Sequence, residues 1–315
     1  MMTNKRIAAS LFLLGLLGLT AVALWFVWPR STLVEASRPE VGGWTPDVLQ
    51  AQVGEPLKLR FTASDMMHGF AVGQTDWAPI DIPPGKPVDV ELVFDEPGVY
   101  TFYCTRFCSR DHWRMRGTIE VTGDVPAKRE PASPPLYVTL GLDIDAPHEI
   151  DPPAKRPSAA RGATIELQTA VVDEETYKTQ SPAQVWQELR KNSETEALTD
   201  RELWDWIAWS WQNQSEPASL ELGKTLYQSN CLSCHGPKGA GDGPIAVDQP
   251  TAVPDFADLS QMPGASSALL HGKIIRGGMG TGMPNWGNIF TEDEVWALID
   301  YLWTFPFAAE VEETQ

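Results

Sequence analysis

Four cysteines occur in the 315 residues, and all four fall in two short patterns that also hold a histidine. The first runs Cys104-Thr-Arg-Phe-Cys108-Ser-Arg-Asp-His112-Trp-Arg-Met115. Two thiolates, an imidazole and a thioether are soft donors, and together they suit a copper centre that exchanges electrons. Cysteines at i and i+4 on one loop can both bridge a pair of copper ions. A second imidazole is still required, and the same stretch of chain offers His68, in Ser64-Asp-Met-Met-His68-Gly-Phe70. Two Cys and two His could instead hold zinc tetrahedrally, but the thioether of Met115 at a fixed offset favours redox copper. The second pattern, Cys231-Leu-Ser-Cys234-His235, is the attachment signature of a c-type haem, with two thioether links and His235 on iron. Disulfides are the competing use of four cysteines in an oxidising compartment. They leave His112, Met115 and His235 unexplained.

These residues need elements to hold them. Leu57–Phe61, Val88–Phe94, Val99–Tyr103 and Gly117–Val121 alternate or run apolar at strand length. Pro83-Pro84-Gly85 and Glu96-Pro97-Gly98 supply turns between them. The spacing predicts an antiparallel β-sandwich over 44–122, with the cysteine loop leaving one strand and re-entering another. Residues 123–218 read as a Pro-rich linker containing helices and a small insert, in which 136–142 and 163–168 have strand character. Ser181-Pro182 opens a helix, and Thr199-Asp-Arg-Glu202 is a capping box before Leu203, Trp206, Ile207 and Trp211. The tryptophans there read as core. An all-α domain follows over 219–307, closed by a helix that Thr291 to Glu294 caps. An acidic tail occupies 308–315.

The His68-Gly-Phe stretch, the strands and the Cys-x3-Cys-x3-His-x2-Met pattern resemble the dinuclear copper (CuA) domain of cytochrome c oxidase subunit II. The resemblance implies a cupredoxin-like fold. It also implies that Cys104 and Cys108 bridge both coppers. His68 and Met115 would complete one copper, and His112 with the backbone carbonyl of Arg106 the other. Subunits II usually carry Glu or Gln where this chain has Arg106, so the magnesium that the Glu form helps to hold is not expected. Cys104-Thr-x-Phe-Cys108 and Met115-Arg-Gly117 resemble the CuA domain of nitrous oxide reductase at least as closely, but five histidines cannot build that enzyme's histidine-rich propeller. Residues 219–307 resemble a class I cytochrome c. In that family a Met before Pro is the common sixth iron ligand, and Met283 in Gly280-Thr-Gly-Met283-Pro284 matches, with Met262 and Met279 as rivals. His148 is expected in solvent and His271 on a helix as a packing residue.

The N-terminus carries Lys5 and Arg6 before an apolar run from Ile7 to Trp28, long enough at about 20 residues to span a bilayer. The expectation is a single-pass anchor over 1–30 with the N-terminus in the cytoplasm. A signal peptide cleaved after Ala21-Val-Ala23 is the alternative. Either way everything after Arg30 lies on the extracytoplasmic face. A net charge of −18 argues against nucleic acid and suits a basic soluble partner. The expected function is an electron-transfer subunit of a respiratory haem–copper complex. Electrons would pass from a soluble cytochrome or a quinol-oxidising complex, through haem c and then CuA, to a membrane-embedded catalytic subunit I. This chain would hold no dioxygen-reducing site. A CuA subunit of a nitric oxide reductase and a non-catalytic copper-delivery module are the alternatives.

Overall fold

The computed structural model describes residues 31–307, apart from 76, 110, 125–132, 149, 168–171 and 279. The expected membrane helix, the acidic tail and Met279 lie outside the described residues. Among the described residues no helix is long and apolar enough to cross a membrane.

The N-terminal part is a two-sheet sandwich. One sheet has the order β2 (Trp44–Thr45), β1 (Thr32–Ala36), β4 (Pro56–Ala63), β7 (Val88–Val93). The other has the order β3 (Val48–Gln52), β9 (Arg116–Thr122), β8 (Gly98–Tyr103), β5 (His68–Val72), β6 (Ile80–Ile82). Alternation drives the layering: Leu57, Leu59, Phe61 and Ala63 of β4 point inward, as do Gly117, Ile119 and Val121 of β9. Trp44, Phe61, Phe70 and Phe102 fill the space between, with ring centroids 4.5 Å apart for Phe61–Phe70 and 5.4 Å for Trp44–Phe102.

The expected strands are present, but the sandwich is mixed rather than antiparallel throughout. β1 runs parallel to β4, and β3 runs parallel to β9. The reason is connectivity: β1 and β3 come in from the N-terminal side and join strands that are not their hairpin neighbours. β1 also begins well before residue 44, where the sandwich was expected to start.

The helical part comprises α1 (Leu136–Thr139), α2 (Ala159–Gly162), α3 (Glu174–Thr179), α4 (Pro182–Leu189), α5 (Asp200–Gln212), α6 (Pro217–Asn230), α7 (Leu232–His235), α8 (Ser267–Arg276) and α9 (Glu292–Leu302). Reciprocal capping boxes start α4 (Ser181 with Gln184), α5 (Thr199 with Glu202) and α9 (Thr291 with Glu294). Trp204, Trp206 and Trp211 of α5 are core, as their helical spacing implied.

The stretch from 133 to 218 is not a loose linker. It packs onto the cytochrome-like helices and shares one apolar core with them. Tyr137 and Ile144 lie against Gly272 of α8, and the Ile150 amide donates to Ser260 O at 3.0 Å. Residues 136–142 and 163–168 are correspondingly not strands. The first is a helical turn and the second a loop among its described residues, because their apolar side chains meet helices rather than a partner strand. His148, expected in solvent, is half-buried here.

Candidate metal and haem centres

β5 and the loop between β8 and β9 bring the first set of residues together. His68 opens β5 and is fully buried. Its Nδ1 lies 3.8 Å from Cys104 Sγ, across 36 residues of chain. His112 Nδ1 lies 3.6 Å from Cys108 Sγ, and Met115 Sδ lies 3.7 Å from the same sulfur. The carbonyl oxygen of Arg106 is 3.3 Å from Cys104 Sγ. Donor atoms of His68, Cys104 and Cys108 all lie within 4.8 Å of one another. Every donor named from the motif therefore faces one small volume, and both thiols are free.

The surroundings prepare these donors. Asp65 Oδ1 accepts from His68 Nε2 at 2.8 Å, which leaves the Nδ1 lone pair for a metal. Burial works to lower the His68 pKa, but hydrogen bonds with Cys104 and Asp65 outweigh it and raise the value. The hydrogen bond from Cys108, helped by His112 and His68, holds the Cys104 thiol far below the ordinary thiol range, and Cys108 is pushed up in turn. The Gly69 amide also points at Cys104 Sγ, at 3.4 Å. Trp44 Nε1 donates to Met115 O at 3.2 Å and pins the end of the loop to the sandwich core. The Arg106 guanidinium turns outward, in a paired contact with Asp81 at 2.8 and 2.9 Å. A converging set of free soft donors on a rigid frame fits copper.

The second set lines a crevice in the helical part. Cys231, Cys234 and His235 share its lining with Met283, Pro284 and Trp286. His235 Nδ1 is 3.3 Å from Pro254 O, an arrangement in which Nδ1–H donates and Nε2 stays free for iron. Burial lowers the His235 pKa to about 4, so the ring is neutral, as a ligand must be. The ring stacks on Phe256 at 4.4 Å. Met262, the rival sixth ligand, is packed in the core beneath the insert, whereas Met283 borders the crevice. His271 is buried in α8 and stacks on Trp296 at 4.9 Å, a packing role. The crevice fits a covalently attached haem: both thiols are free and face the same space as the two axial candidates.

Sequence reasoning missed the neighbours that tune these donors. Asp65 stands three residues before His68, a spacing that was visible. The carbonyl of Pro254 carried no local signal.

The stretch 218–302 matches the family described as Cytochrome C oxidase, cbb3-type, subunit III. The chain is 32% identical over 79 residues to cytochrome c oxidase subunit 2 of Thermus thermophilus, covering 25% of this chain and 58% of that protein. It is 29% identical over 91 residues to the cbb3-type cytochrome c oxidase subunit CcoP of Azospirillum brasilense, covering 29% of this chain and 30% of that one. The periplasmic domain of subunit II of cytochrome oxidase from Bradyrhizobium japonicum is 19% identical, with TM-score 0.24, over 30% of this chain and 88% of that domain. The chain thus spans less than two thirds of the curated relatives it matches. These similarities define two regions, one like cytochrome c oxidase subunit 2 and one like the cytochrome c part of a cbb3-type oxidase subunit. More particularly, this chain joins similarity to subunit 2 with a cbb3-type cytochrome c region at its C-terminal end.

Proposed function

We propose that this chain is the electron-entry subunit of a respiratory haem–copper complex of the cytochrome c oxidase type. The observation that carries the reading is the convergence of His68, Cys104, Cys108, His112 and Met115 in the same chain as a crevice walled by His235 and Met283. Bound at these places, a dinuclear CuA centre and a covalent haem c would each take up and release one electron. The chain's own residues do the rest. Cys104 and Cys108 would supply thiolates to the copper, with His68, Met115, His112 and the Arg106 carbonyl completing the set. Cys231 and Cys234 would hold the haem covalently, and His235 and Met283 would supply its iron ligands. Burial of Cys104, Cys108, His112, Met115 and His68 keeps water from the donors and limits rearrangement when charge changes.

The anchor at 7–28 would hold both domains at the extracytoplasmic face of the lipid bilayer. A soluble cytochrome or a quinol-oxidising complex would donate, and a membrane-embedded subunit I would accept. Exposed Met67 and Phe107 beside the copper loop offer an apolar contact for that subunit. The test uses the purified full chain. A mixed-valence two-copper EPR signal, a c-type haem absorption spectrum, and loss of the copper signal alone in Cys104→Ser support the reading. A copper signal that survives Cys104→Ser sinks it.

A further inference from the structure

The loop that follows Met283 does more than close the crevice. Residues 285–289 dock on β8, on the start of β9 and on the residues just after β5; β8 and β9 flank the copper loop. Arg116 comes directly after Met115, and its Nη1 donates to Asn285 O at 2.7 Å. The same guanidinium lies 4.8 Å from the centroid of the Trp286 ring. Trp286 is 5% exposed and borders the crevice. Around this contact the Gln74 amide donates to Ile289 O at 2.9 Å, and the Gln74 side chain donates to Gly287 O. Asn288 Nδ2 donates to Thr101 Oγ1 at 2.9 Å. Gly73 permits the approach, since a Cβ there would lie 2.5 Å from Asn288 O and 2.7 Å from Ile289 Cα.

We propose that this junction, with Arg116 at its centre, is the path along which the electron crosses from the haem crevice to the copper loop. The proposal rests on the electron-entry reading above. Tunnelling declines steeply with distance, and bonded or touching atoms carry it better than gaps do. Met115, Arg116 and Trp286 form an unbroken contact from the thioether at the copper loop to the crevice wall. The backbone from Trp286 back to Met283 runs beside it. The step moves one electron: ferrous haem is oxidised to ferric, the two-copper centre is reduced by one, and no bond or proton changes. Arg116 is thus a positioning residue that docks the axial-ligand loop against the copper loop.

The full chain, loaded with copper and haem, tests this in two variants. Arg116→Gln removes the central contact, and Gly73→Ala wedges the same junction from outside both sites. The haem is photoreduced with a light-activated ruthenium dye, and electron arrival at copper is followed by absorbance. Hydrogen–deuterium exchange at the Gln74 amide reports docking. Losing a charge-assisted contact is expected to weaken docking of the loop about tenfold, and internal transfer is expected to slow with it. The copper EPR signal and haem spectrum should stay as in the parent, with faster exchange at Gln74. Gly73→Ala should do the same with Arg116 intact, and it decides the matter alone if Arg116→Gln does not fold. Unchanged transfer and unchanged exchange overturn the junction. A parent chain that shows no two-copper signal sinks the electron-entry reading instead, and the exchange comparison still decides whether Arg116 docks the loop.

Discussion

Asp65 and His68 form a pair in which the carboxylate fixes the ring: Asp65 Oδ1 is 2.8 Å from His68 Nε2, and Nδ1 therefore faces Cys104. Outer hydrogen bonds of this kind set ligand orientation and basicity. Asp65→Ala should weaken copper binding about 10- to 100-fold while leaving the haem spectrum unchanged. Competition against a copper chelator measures it, and unchanged affinity would show that the sandwich alone orients the ring.

Helices α6 and α9 touch backbone to backbone at Gly223. A Cβ on this residue would sit 1.9 Å from Ala297 O, a rigid atom that cannot move aside. Overpacking of this sort costs about 1–3 kcal/mol or more. Gly223→Ala should lower the melting temperature of the helical part, followed by circular dichroism at 222 nm (roughly the usual helix wavelength). A melt identical to the parent would mean that the helices slide apart at little cost.

The stretch before the cytochrome-like helices is held by an ion pair. Asp205 is 2% exposed and accepts from Arg161 Nε at 2.6 Å, from Arg161 Nη2 at 2.7 Å and from the Ser158 amide at 2.7 Å. Removing Asp205 takes away the buried acceptor of three hydrogen bonds, at a cost of up to about 3–5 kcal/mol. Asp205→Ala should shift the urea midpoint down accordingly. A midpoint unmoved by the change would return 133–218 to the status of a loose connection.

Besides His235, two histidines of the helical part should make stability depend on pH. Burial lowers the His271 pKa below 6.5, aided by Lys178 and opposed by Glu292, whose Oε1 is 3.1 Å from Nε2. Burial likewise lowers His148, aided by Lys273 and opposed by a hydrogen bond with the Ala146 backbone. Below 6.5 the unfolded chain binds protons that the folded chain does not. Their contribution is therefore complete above that pH and declines as pH falls through it toward the lower folded values. Denaturant unfolding of the helical part between about pH 7 and 5 should show this loss, and His271→Gln should flatten it. A slope the same in both proteins would assign the dependence to other groups.

What was legible in the sequence was chemistry coded over short distances. Cys104, Cys108, His112 and Met115 sit on one loop, so their spacing alone determined that their donors could meet. The same holds for Cys231, Cys234 and His235 on one helical turn. The Ser181-Pro182 start and the capping signals at Thr199 and Thr291 work within three residues, and each begins a helix in the structure. The alternation of Leu57, Leu59 and Phe61 likewise announced a half-buried strand.

Tertiary structure decided what depends on packing between distant segments. It brought Met283 rather than Met262 to the crevice, and both stand before a proline, so local pattern could not separate them. It turned 136–142 from an expected strand into a helical turn against α8, because burial on a helix offered those apolar side chains a partner that no strand did. It joined β1 to β4 and β3 to β9 in parallel, pairings that alternation within one strand does not encode. It also set Arg116 over Trp286 across 170 residues of chain (116 to 286), a contact with no periodicity to announce it. Spacing along a loop or helical turn is fixed by covalent geometry, whereas contacts between segments follow from the burial of whole surfaces.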